Sequence, residues 1–275
     1  VMLNIPLTYA LIFGTWVFPE LGIEGAAYAT IISSSFSLTL FLVFYFERQH
    51  RARYFVGQSL RLEKGILRRY VRLGFPSGVE MFLNVAAFNL FLLMFQSYGV
   101  TEAAAAAIVF NWDIISFVPM LGLNVALISL VGRFVGEENM DRLRQVILSG
   151  FLISLSYSSI LAITFVVFRE ALVLLFVVDV PNAGAILELS TFMMVGLASY
   201  AMADAIILVI GGVLRGAGDT RWLMWVSVSL HWVMLIVQFF VIKVFYMGPR
   251  TAWVVFVIMI IATAAVYALR LRGEK

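Results

Sequence analysis

The chain has 275 residues, 63% of them hydrophobic and 13% charged, with a mean hydropathy of +1.00. A soluble domain carries about 45–50% apolar and about 25% charged residues, and a compact fold of this length cannot hide so much apolar surface. A soluble enzyme, a disordered tail and a nucleic-acid-binding domain therefore fit poorly, and the formal charge of +3 does not reverse this, because the basic residues lie between apolar runs.

Eight apolar segments come near the roughly 20 residues that a helix needs to cross a bilayer. They run over about 1–18, 24–46, 74–98, 103–131, 146–168, 189–214, 222–245 and 251–269. All are continuously apolar rather than alternating, which argues against a β-barrel. The first opens at Val1 without a methionine or a charged flank. The chain is thus expected to begin inside a helix, as a piece of a longer protein. Zero cysteines leave no thiolate metal site or cysteine nucleophile. The fold predicted is all-α and polytopic, with about eight transmembrane helices.

Basic residues orient the spans. Loop 47–72 holds Arg48, Arg51, Arg53, Arg61, Lys64, Arg68, Arg69 and Arg72. Arg133, Arg142, Arg144, Arg215, Arg221, Arg270, Arg272 and Lys275 fall on the same side, and only Arg169, Lys243 and Arg250 on the other. This asymmetry places the loop and the C-terminus in the cytoplasm. The loop is also the long charged break between apolar runs, so it is read as a linker contacting anionic lipid headgroups. It separates residues 1–46 from a six-helix body over 73–275.

Ionisable groups at membrane depth are costly and commonly line an ion path. Here they are Glu80, Asp113, Asp204 and His231, accompanied by Asn84, Asn89, Asn111, Asn124, Tyr200 and Gln238. No Lys or Arg lies near the middle of a span, which favours a cation in the pathway. Tyr200 and Asp204 are four apart and share one helix face. Asp204 can exchange a proton there, or coordinate Na⁺ together with the tyrosine hydroxyl; the alternative is a protonated side chain that bonds a neighbouring helix. Glu80 and Asn84 repeat the spacing after Pro76. Asn111 and Asp113 are about 200° apart on their helix, so one of them is expected to bond helix to helix. His231 is a candidate proton carrier or a packed hydrogen-bonding residue.

The turn Leu214–Thr220 has the glycines of a phosphate loop but lacks its Gly-Lys-Ser/Thr ending and follows a membrane helix. It is read as a tight turn in which glycines end one helix and Asp219 or Thr220 caps the next. Gly132 and Gly136 form a close-packing pattern. The spans contain no HExxH or GxSxG sequence, so an enzyme is not expected.

In these motifs the sequence resembles the multidrug and toxic compound extrusion (MATE) family. The resemblance rests on Asn4-Ile5-Pro6-Leu7, Leu21-Gly22-Ile23-Glu24-Gly25, Arg72-Leu73-Gly74-Phe75-Pro76-Ser77-Gly78, the pattern from Asn111 through Pro119 to Gly136, and Leu214-Arg215-Gly216-Ala217-Gly218-Asp219-Thr220. It implies a twelve-helix, two-lobe, inverted-V transporter, of which this chain holds helices five to twelve. It also implies that Tyr200 and Asp204 match a sodium-site pair, with the usual glutamate position taken by Asn84 and Glu80 one turn earlier. Asn4 and Thr30 match part of a site in the first lobe, where Thr8 stands in place of an aspartate.

The function expected is a Na⁺- or H⁺-coupled antiporter that exports cationic amphipathic drugs or toxic metabolites. Its cation-coupling residues would be Asp204, Tyr200, Glu80 and Asn84, and its chamber residues Asp113, Asn111 and His231. No cofactor is expected beyond the coupling ion. The protein is expected to be a monomer in the plasma (inner) membrane, with lipid and small amphipathic cations as its partners. A flippase for lipid-linked oligosaccharide and a non-transporting membrane scaffold are the alternatives.

Overall fold

The structure, a computed structural model, describes residues 3–15, 18–47, 51, 62–177 and 182–273. Val1, Arg48, Arg53, Arg61 and Lys275, used in the sequence reading, lie outside them. Every regular element among the described residues is helical, and seven helices are long and apolar enough to span a membrane.

Two compact units divide the chain, residues 1–68 and 69–275. In the first, α1 (Asn4–Phe13) packs on α2 (Gly22–Phe46). The expected first span is described only as the ten residues of α1, half the length needed to cross a bilayer. Gly14, left-handed at φ +64°, ends it and returns its N–H to the Ala10 carbonyl. Ala10, Leu11 and Ala29 fill the joint. A Cβ on Gly25 would stand 2.4 Å from the Leu11 carbonyl oxygen, so only glycine lets α2 approach so near.

The second unit holds most of α3 (Lys64–Gln96), then α4 (Val100–Gly136), α5 (Met140–Val167), the short α6 (Arg169–Leu174), α7 (Ala183–Ala217), α8 (Thr220–Phe239) with a π turn over Phe240–Val244, and α9 (Pro249–Gly273). Several helices outrun their apolar segments because polar flanks continue the same backbone hydrogen bonding. Residues 64–72, expected in the linker, form the first turns of α3. Asn139 starts α5 by accepting the Arg142 N–H at 3.1 Å. Gly218, left-handed, ends α7 as expected. Asp219 stands at the cap position of α8 without a side-chain cap bond, since its carboxylate takes Arg270 at 3.0 Å.

Helix α7 is the centre of this unit and packs on α4, α5 and α9. Its most apolar stretch is 56% buried, against 11% for α2. Small residues make this possible, because van der Waals fit rather than water exclusion drives helix association in lipid. Gly212 and Gly216 bring α7 against the α4 backbone: a Cβ on Gly216 would meet Ile128 O at 2.8 Å, and one on Gly212 would meet the Asn124 side chain at 2.9 Å. The Asn124 amide donates to the Leu208 carbonyl of α7. Gly132 joins the same crossing, while its motif partner Gly136 faces open space.

Towards the other end, an aromatic cluster of Phe91, Phe95, Phe110, Trp253 and Phe256 fills the interior. The indole N–H of Trp253 donates to Met193 O at 3.1 Å. Beyond the cluster, Lys243 donates to Ser97 Oγ at 2.7 Å, and Tyr98 donates its hydroxyl to the Met247 carbonyl. These bonds tie the α3–α4 turn to the segment between α8 and α9.

Candidate ion-binding site

Pro119 removes one N–H from α4 and so releases the Ile115 carbonyl from its usual partner. Around this break the Tyr157 hydroxyl of α5 donates to Ser116 O at 3.1 Å, and the Ser116 hydroxyl to Asp113 O at 2.7 Å. One and a half turns before the proline, Asp113 faces α7, where Tyr200 and Asp204 lie one turn apart. The Tyr200 hydroxyl is within electrostatic reach of both carboxyl groups, and these are within reach of each other. Tyr200 is only 2% exposed, and both aspartates are half-buried.

Aromatic contacts fix the tyrosine. Its ring meets Trp253 edge-on at 6.2 Å and Phe256 at 5.8 Å. Its hydroxyl is buried, and the Asp113 carboxylate is the acceptor beside it. The result is a phenol and two carboxyl groups converging from two helices, all hard oxygen donors. With both carboxyls ionised, like charges face each other at membrane depth, which is costly. A proton or a Na⁺ placed among these oxygens relieves that repulsion. Asp113, Tyr200 and Asp204 are the side chains that could hold such an ion.

Asn111 and Asp113 diverge as their angular separation requires. Asn111 is exposed and bonds the Ala107 carbonyl of its own helix at 2.8 Å, so Asp113 is the one that reaches across to another helix.

Glu80 and Asn84 are not brought to Tyr200 and Asp204. Glu80, 2% exposed, pairs with Arg215 at 2.8 Å. Arg215 is eleven residues beyond Asp204 on α7, roughly 16 Å along the axis. The sequence reading assigned Arg215 to a loop, but α7 continues to Ala217, which puts the guanidinium inside the bundle, beside the glutamate. The missed signal was an acidic residue one turn past Pro76 at the same membrane level as this arginine. Asn84 donates to Ser227 Oγ of α8 at 2.7 Å. His231 bonds the Ser227 carbonyl through Nδ1 at 2.8 Å, and Tyr267 approaches the same serine. These residues form a second polar network nearer the arginine-rich end. In the first unit, Asn4 is the first residue of α1, and the Thr30 hydroxyl donates to Ala26 O at 3.0 Å within α2.

Among the described residues, seven helices long and apolar enough to cross a bilayer mark the chain as a polytopic helical membrane protein. The chain belongs to the MatE family, whose model matches residues 76–240. It is 31% identical over 260 residues to the probable multidrug resistance protein NorM of Thermotoga maritima, covering 92% of this chain and 53% of that protein. It is 28% identical to the multidrug resistance protein MdtK of Yersinia enterocolitica, covering 98% of this chain and 60% of that protein. The chain therefore spans little more than half the length of these relatives. Among solved structures it is similar to a MOP superfamily transporter from Pyrococcus furiosus, with a TM-score of 0.85 at 20% identity over 98% of this chain and 60% of that one. It is also similar to a multidrug resistance MATE family transporter in an outward-facing conformation, with a TM-score of 0.82 at 22% identity and the same coverage. At that identity the likeness speaks for the fold.

Proposed function

We propose that the full-length protein is a cation-coupled antiporter that exports cationic amphipathic compounds, and that Asp204 is its coupling carboxylate. The observation that carries this reading is the convergence of Asp113 and Asp204 on the buried Tyr200 hydroxyl. Na⁺ or H⁺ entering the cluster cancels charge at Asp204 and changes the relative energy of inward- and outward-facing arrangements. A cationic substrate seeks the same negative charge, so ion and drug exclude each other, which is the elementary requirement of exchange. The multidrug resistance proteins to which the chain is similar support the substrate class. The charge asymmetry supports a plasma-membrane orientation with a cytoplasmic C-terminus. No reaction chemistry is assigned to the chain, and it is taken to act as a monomer.

The test is transport by the full-length protein in proteoliposomes, with Na⁺ and pH gradients imposed separately. Asp204→Asn should abolish gradient-driven efflux of an ethidium-like dye while the protein still inserts, and Asp113→Asn should weaken it. Undiminished efflux by Asp204→Asn would remove the assignment. A wild type with no dye transport, and no thermal shift on adding Na⁺, acid or dye, would point to a scaffold instead.

A further inference from the structure

The arginine-rich end of the second unit contains a pocket of about 570 Å³ that ion coupling does not use. The first turns of α3 supply Arg69 and Arg72, the end of α4 supplies Gly136, and the α7–α8 turn supplies Gly218 and Arg221. Arg215 also borders it but is paired with Glu80. The other three arginines have no ion-pair or hydrogen-bond partner among the described residues. No acidic side chain lines the pocket. All three are solvent-exposed, so their charges are available to an anion that enters the cavity.

The floor has the same character. Helix α8 starts in the pocket, and its cap residue Asp219 leaves the first-turn N–H groups without a side-chain acceptor. Such groups favour an anion. A Cβ added to Gly136 or Gly218 would meet nothing within 4 Å, so bare backbone faces the open volume. Guanidinium forks and free amides match phosphate oxygens. The level also matters. Helices α3, α4 and α7 have 33, 37 and 35 residues, about 50 Å or more each, and so reach the headgroup zone of a bilayer some 40–45 Å thick.

We propose that this pocket binds a phosphate-bearing anion, with the headgroup of an anionic phospholipid as the occupant its level favours. It is not a nucleotide loop: the Gly-Lys-Ser/Thr sequence is missing, and the arginines come from three separate elements. The headgroup would bridge α3, the end of α4 and the start of α8, pinning their ends together. This assignment stands apart from the ion-coupling reading and survives if Asp204 proves not to be the coupling group.

The test uses delipidated full-length protein in detergent, with native mass spectrometry counting retained phosphatidylglycerol or phosphatidylcholine. Wild type should retain phosphatidylglycerol preferentially. The triple variant Arg69→Gln, Arg72→Gln, Arg221→Gln should bind it roughly a hundredfold more weakly. Gly136→Leu, which fills the pocket without altering its charge, should lose the preference too and carries the test if the triple variant fails to fold. The pair Arg142→Gln, Arg144→Gln, which leaves the pocket arginines in place, should bind as wild type does. A parallel arm measures thermal stability with inorganic phosphate in phosphatidylcholine micelles. Stabilisation there without a phosphatidylglycerol preference keeps the site and assigns it to soluble phosphate. The proposal is overturned if neither probe binds, if the triple variant and Gly136→Leu behave as wild type, or if the control pair loses as much as they do.

Discussion

Glu80 shows how one turn of helix decides what a carboxylate does. Its partner Arg215 retains 27% side-chain exposure while Glu80 retains 3%, so the carboxylate is the member that cannot recover water if the pair is broken. Removing one side of a buried pair costs about 3–5 kcal/mol, whereas replacing both with uncharged groups is often neutral. Arg215→Met should therefore lower thermal stability in detergent strongly, and Glu80→Gln combined with Arg215→Met should restore most of it. Equal losses in the single and double variants would show that the pair is not the source. At this scale the sequence was informative about one helix at a time. The four-residue spacing of Tyr200 and Asp204 announces a shared face. That Asp113 stands opposite them, and that Glu80 meets Arg215, depends on which helix faces which. No spacing within a single helix encodes that.

At the level of elements, the apolar runs located seven spans but misjudged their ends, because a helix continues through polar residues wherever its backbone bonds persist. The π turn at Phe240–Val244 and the short α6 left no periodicity to read. The π turn matters for the end of the unit remote from the arginines, because Lys243 lies within it and meets Ser97. Beside it, burial lifts the Tyr98 phenol above the ordinary tyrosine value, so the folded protein holds that proton more tightly than the unfolded chain does. Its contribution is whole below about pH 10 and is lost as pH rises through the folded value. Tyr98→Phe should cost about 1 kcal/mol at neutral pH through the bond lost to Met247. It should also show a smaller further loss than wild type between neutral and strongly alkaline pH. Thermal denaturation across that range checks both effects.

For the whole molecule, the distribution of arginine and lysine was the most legible feature, since topology depends on charge in loops and not on packing. The absence of cysteine makes orientation directly measurable. Asp141→Cys and Gly248→Cys, both at exposed positions, lie at opposite ends of the second unit. In intact cells an impermeant maleimide should label Gly248→Cys and spare Asp141→Cys, and permeabilisation should expose both. The reverse pattern would invert the topology. The division into residues 1–68 and 69–275 was less legible, because the basic stretch between apolar runs ends inside a helix and not before it.

The glycine crossing of α4 and α7 also has a mechanical meaning. Where Gly216 rests on the Ile128 carbonyl, the two rods are as close as backbones allow, which makes that point a natural fulcrum. Asp204 is twelve residues away, a lever arm of about 18 Å. A tilt of roughly 3° about the fulcrum moves the carboxylate by about 1 Å, the scale on which the ion grip proposed above would open or close. The smallest residues of the helix thus set how far a given tilt carries Asp204.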